Sequence, residues 1–176
     1  MHDSRSFLRL IAGSAPLCLL LAGCADTAAP PPPPAASESS LYRSMAAPGA
    51  SLDSAAARDM ISLYRRNNGL AGLTLDPALM EQARAQAETM ATRDKLSHEL
   101  SGSLASRLNG AGFQKSAAVE NVSAGYDTMA EVFSGWRQSP SHNANLLAPG
   151  MKRMGVAAAY NPKTRYKVFW ALVMAN

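Results

Sequence analysis

The chain has 176 residues, a mass of 18.6 kDa and a formal net charge of +4, a length that favours a single domain. Its 47% apolar content is ordinary for a globular protein, while its 17% of charged residues is low, and together they exclude a collagen-like, coiled-coil or wholly disordered chain. No basic stripe or basic–aromatic interleave is present, which argues against nucleic acid as a partner, and two cysteines cannot build a disulfide framework.

Arg5 and Arg9 precede an apolar run over residues 10–21. The run is short for a bilayer span and suits a signal-peptide core. It ends in Leu21-Ala22-Gly23-Cys24, which resembles the cleavage site of a bacterial lipoprotein signal, with the cysteine lipidated and becoming the mature N-terminus. The alternative is an ordinary secretory peptide with an accidental cysteine. Two or more acyl chains anchor a protein stably where one does not. With Ala25 rather than Asp after the cysteine, the resemblance implies sorting to the outer membrane, facing the periplasm. A secreted or cell-surface location is the alternative. Cys18 would leave with the signal and Cys24 would carry lipid, so the mature domain would have no free thiol.

Residues 25–50 are rich in Ala, Pro and Ser, with five consecutive prolines from Pro30 to Pro34. Such a run favours polyproline II, rising about 3.1 Å per residue, and is read as a tether. The expected organisation is therefore a signal over residues 1–23, lipidated Cys24 with the tether over 24–50, and one domain over 51–176.

Within the domain, Ala57, Met60, Ile61 and Tyr64 mark one face of a helix, with Arg65 and Arg66 in its last turn and Asn68-Gly69 as its stop. Asp76-Pro77 pairs an N-cap with an N1 proline and opens a helix to about Arg93. Its stripe of Met80, Ala83, Ala87 and Met90 is small enough for a neighbour to pack closely. A short helix spans residues 103–109 and ends at Gly110, and a strand is expected over 117–124. Thr128 and Glu131 have capping-box spacing, before a helix whose stripe is Met129, Val132, Phe133 and Trp136 and whose end is Pro140. Strands over 155–160 and 166–174 close the chain around an Asn161-Pro162 turn. Helices before a terminal antiparallel pair indicate an α+β fold, with helices covering a small sheet.

Familiar catalytic signatures are missing: there is no G-x-S-x-G elbow, phosphate loop or dinucleotide fingerprint. His98-Glu99 begins like H-E-x-x-H, but Gly102 stands where the second histidine would be. His98 and His142 are the only histidines after the signal, each expected in a small-residue loop following a helix. Glu120 lies within a strand, either at a wet edge or buried and held by partners. Each has an ordinary explanation taken singly, and spacing does not show that the three converge.

The order of segments nevertheless resembles the bacterial branch of the CAP superfamily, the SCP-like extracellular domains. The resemblance runs from about Met60 to the C-terminus. It rests on Leu75-Asp76-Pro77, Leu96-Ser97-His98, Ser103 to Leu108 with Ala111-Gly112-Phe113, and Glu120-Asn121-Val122-Ser123-Ala124-Gly125. Gly135-Trp136, Ser139-Pro140-Ser141-His142, Asn145-Leu146-Leu147 and Met154-Gly155-Val156 complete it. The resemblance implies an α–β–α sandwich with a cleft lined by two histidines and one or two glutamates, of which His98, Glu120 and His142 match three. Arg137, Gln138 and Ser139 stand where a further acid would follow Trp136. Val119, and the Ala171-Leu172 pair, replace residues usual in the family and imply a more apolar cleft floor.

His98, Glu120 and His142 are thus the candidate metal ligands, for zinc or another divalent cation with an open water position, and the candidate catalytic residues. The expected function is an envelope-anchored domain that binds a lipid, a peptidoglycan fragment or an envelope protein at this cleft. The alternative is a divalent-metal-dependent, peptidase-like hydrolase using the same residues. A third reading is an interaction module with a vestigial cleft.

Overall fold

The computed structural model describes residues 39–114 and 116–176. The expected signal peptide, Cys24 and the first part of the tether lie outside the described residues. Among the described residues there is no cysteine, so this part of the chain holds together without a disulfide.

The elements follow the expected order. Helix α1, Ser54–Asn67, starts at Asp53, whose carboxylate accepts the Ala56 N–H, and ends at Asn68 and Gly69, the glycine at φ +77°. Strand β1, Thr74–Leu75, leads through the Asp76 N-cap into α2, Pro77–Arg93, and Ser103 caps α3, Leu104–Gly110. Strand β2, Ala118–Ala124, is followed by α4, Met129–Gln138, with the Thr128–Glu131 capping box formed in both directions. Next come α5, Pro140–Leu146, then β3, Arg153–Tyr160, and β4, Val168–Ala175.

Two details differ from expectation. Pro140 ends α4 but also opens α5 as its first residue, with Ser139 as the shared cap. His142 therefore sits on a short helix and not in a loop, because proline's fixed φ suits a helix start as well as it blocks a helix interior. Residues 39–50, the end of the stretch read as a tether, pack on the domain. Ser40 to Tyr42 form a 3-10 turn, Met45 is buried, and its N–H donates to Asp127 O at 2.7 Å.

The sheet has the order β1-β3-β4-β2, antiparallel except for the parallel β1–β3 pair. Strand β4 is buried along its whole length and alternates strictly between two cores. Val168, Trp170, Leu172 and Met174 face the layer of α1 and α4, which supplies Ile61, Val132 and Trp136. Phe169, Ala171, Val173 and Ala175 face α2 and α3, with Leu79, Ala83, Met90 and Leu108. The result is an α–β–α sandwich over a small, mainly antiparallel sheet. The small-residue stripe of α2 allows a very close approach to β3, since a Cβ on Gly155 would overlap the backbone of Leu79.

Arg65 is fully buried, although its place in the last turn of α1 suggested only a dipole partner. Its guanidinium donates to the carbonyls of Ala71 (3.0 Å), Leu146 (2.8 Å), Ala148 (3.0 Å) and Met151 (3.4 Å). It ties α1 to the turn after α5, and burial lowers its pKa from the ordinary arginine value.

Candidate functional site

Strand β2 is an edge strand, and its pleat divides the site. Glu120 pairs with Val173 and Asn121 with Leu172, so their side chains enter opposite layers. The carboxylate of Glu120 enters the α2–α3 layer, and the amide of Asn121 enters the layer containing α5.

On the first side, Glu120 is held through both oxygens. Its Oε1 lies 2.8 Å from His98 Nδ1, and Arg107 Nη2 donates to Oε2 at 2.6 Å. The Glu120 side chain is 2% exposed, that of Arg107 7% and that of His98 53%. A buried carboxylate bound to a guanidinium is an acceptor only, so the proton of the His98 bond sits on Nδ1. Nε2 is then the other ring nitrogen, and no hydrogen bond engages it among the described residues.

The loop carrying His98 is gripped from beneath. Gln86 Nε2 of α2 donates to Ser97 O at 2.7 Å, and Arg107 Nη2 reaches His98 O at 3.4 Å. Gln86 is itself buried on the apolar face of α2. Neither Gln86 nor Arg107 was among the expected site residues. Both occupy positions on otherwise apolar helical stripes, Gln86 beside Ala83 and Met90 and Arg107 beside Leu104 and Leu108. That misfit is the sequence signal that could have revealed them.

On the second side, α5 is fastened to β2. Asn121 Nδ2 donates to His142 O at 3.0 Å, and Asn145 Nδ2 donates to both Glu120 O and Asn121 Oδ1, each at 2.9 Å. Asn145 thereby satisfies a carbonyl of the edge strand. His142 is half-buried, and its pKa is lowered from 6.5, first by burial and then by the nearby charge of His98. His98 and His142 are thus tied to adjacent residues of one strand, the first through its ring to Glu120 and the second through its carbonyl to Asn121.

The position after Trp136 supplies a cation and no acid, as the sequence states. Arg137 lies 4.9 Å from the ring centre of Tyr64, whose hydroxyl donates to Asn143 of α5.

A zinc site needs deprotonated donors with free lone pairs. Here each Glu120 oxygen already accepts one short bond and the carboxylate is closed off from solvent by burial, which leaves the two imidazoles as the accessible donors. Among the described residues, no group of three or more His, Cys, Asp or Glu side chains is arranged to hold a metal ion. The observed set therefore does not fit a three-residue zinc centre.

Residues 58–174 match the family model described as the cysteine-rich secretory protein family, CAP. The chain belongs to the CAP family. Among curated proteins, this CAP chain is 29% identical over 100 residues to the uncharacterized protein YkwD of Bacillus subtilis, covering 56% of this chain and 39% of that one. It thus spans well under half the length of that relative. Among solved structures, an outer surface protein of Borrelia burgdorferi is similar at 20% identity and a TM-score of 0.61, over 70% of this chain and 92% of that one. An extracellular SCP-domain protein of Bacillus anthracis is similar at 24% identity and a TM-score of 0.59, over 69% and 39% of the two chains. At these identities the structural likeness establishes the CAP fold.

Proposed function

We propose that this CAP domain binds a ligand across the outer edge of β2, between His98 and His142, as part of a lipoprotein anchored through Cys24 in the bacterial cell envelope. One observation carries the reading: a carboxylate only 2% exposed orients an imidazole that is 53% exposed. Burying Glu120 with a guanidinium to fix a half-exposed ring is costly for stability alone, and it leaves Nε2 without a hydrogen bond among the described residues. The ligand class is a lipid, a peptidoglycan fragment or an envelope protein. The descriptions of the Borrelia and B. anthracis proteins as outer surface and extracellular support an exported location. The leader that resembles a lipoprotein signal supports the anchor.

A second reading is a hydrolase, favoured by the Glu120–His98 pair, because a carboxylate-oriented imidazole with a free Nε2 is the arrangement of a general base. No hydroxyl is hydrogen-bonded to Nε2 among the described residues and the sequence marks no nucleophile beside it, so binding is the preferred reading.

The test is to follow the ring resonances of His98 and His142 while adding soluble peptidoglycan fragments and, separately, a long-chain fatty acid. One probe should move both rings and lose affinity in His98→Ala. Perturbation of neither ring by either probe contradicts these two ligand classes and leaves the envelope-protein class to pull-down with the same variant.

A further inference from the structure

We propose that Arg107 is the resident cation of this site: its guanidinium holds the place beside Glu120 that a divalent metal would need, and the two imidazoles work on their ligand without one. The proposal rests on the reading of His98 and His142 as the ligand site.

Three observations carry it. Arg107 donates to Glu120 Oε2 at 2.6 Å with both side chains almost wholly buried, so the negative charge of Glu120 is answered from inside the protein. The other oxygen of Glu120 is bonded to His98 Nδ1, so each oxygen of this buried carboxylate already carries a short bond and a metal would have to enter beside both partners. Arg107 also reaches the His98 carbonyl, so its displacement would loosen the loop that positions the imidazole.

Electrostatics points the same way. A divalent ion held at Glu120 would lie within a few ångströms of a guanidinium in a region of low dielectric, where like charges repel strongly. Removing Arg107 would leave Glu120 as an uncompensated buried charge, and an added cation is what such a charge attracts. Arg107 Nε and Nη1 are buried without a hydrogen-bond partner among the described residues. The guanidinium is therefore held chiefly by its contacts to Glu120 and the His98 carbonyl, and Arg107 is a positioning residue that sets what the site accepts.

The experiment is zinc titration at neutral pH, by competition with a chromophoric chelator, on the wild type, Arg107→Met and the Arg107→Met/Glu120→Gln double variant. Arg107→Met should bind zinc about ten-fold or more tightly than the wild type, the scale on which residues supporting the ligands alter metal affinity. The double variant should lose that gain. A gain of affinity is an effect that mere structural damage would not produce. If Arg107→Met fails to fold, the decision passes to the wild type, where the Nδ1 proton signal of His98 should persist in excess zinc. Tight zinc binding by the wild type with loss of that proton, or no gain in a folded Arg107→Met, overturns the proposal. Neither result depends on whether an organic ligand binds the histidines.

Discussion

Glu120 and Asn121 are neighbours in β2, yet each anchors a different half of the site. Glu120 fixes His98 from the α2–α3 layer, while Asn121 holds the backbone of His142 on α5 from the other. An edge strand allows this, because side chains from both layers can lean past it toward one another. The amide of Asn145, which bonds Glu120 O and Asn121 Oδ1, joins the two halves.

Asn145→Leu should therefore cost more than a surface change. It removes donors from one backbone and one side-chain acceptor, and leaving such groups unpaired costs on the order of 1–3 kcal/mol. Urea unfolding should show a lower midpoint with little change in slope. The ring of His142 should shift in NMR spectra even where the protein stays folded.

Arg65 carries a larger load, with four backbone carbonyls in its fork. Arg65→Ala should destabilise by about 3 kcal/mol or more, since several buried acceptors lose a charged donor at once. Arg65→Lys should recover only part of this, because an ammonium cannot span the same fan of acceptors. Full recovery by lysine, measured by equilibrium denaturation, would contradict the role given to the guanidinium fork.

Gly155 is required by a close approach and not by backbone conformation. Any Cβ there overlaps the backbone of Leu79 and Met80. Gly155→Ala must push α2 off the sheet and should cost about 3 kcal/mol or more, beyond the usual range for a single overpacked methyl. Thermal unfolding would show the loss directly.

The half-buried His142 gives stability a pH dependence with a definite sign. Its pKa is lowered on folding from 6.5, so the unfolded chain binds its proton more readily. That contribution is fully present above about pH 6.5 and is lost as pH falls below that value toward the folded-state pKa. Chemical denaturation over this range should show His142→Gln with a flatter acid-side slope than the wild type. Identical slopes would contradict the burial of this ring.

Most of the fold was legible because local signals agreed with one another. Asp76-Pro77 and Thr128 with Glu131 gave helix starts, and the stripes of Ala57 to Tyr64 and Met129 to Trp136 gave buried faces. Helix α5 was not legible, since a proline carries both stop and start signals and only the packing of Asn145 and Leu146 decides between them. Strand β1 is two residues long and exists through its pairing with β3. The histidines and Glu120 stood out by scarcity and placement. Arg65 did not, because a cation in a last turn has an ordinary exposed reading until tertiary contacts bury it, and Gln86 and Arg107 showed only as polar misfits on apolar helical stripes.

Everything proposed for the site depends on buried Glu120 holding His98 with its proton on Nδ1, so that Nε2 is the free nitrogen. Nitrogen NMR of the ring-labelled protein near neutral pH, with His98 assigned by His98→Ala, tests this most directly. The expected result is a protonated Nδ1 with a slowly exchanging proton, lost in Glu120→Gln. A His98 ring carrying its only proton on Nε2, or one indifferent to Glu120→Gln, would contradict it.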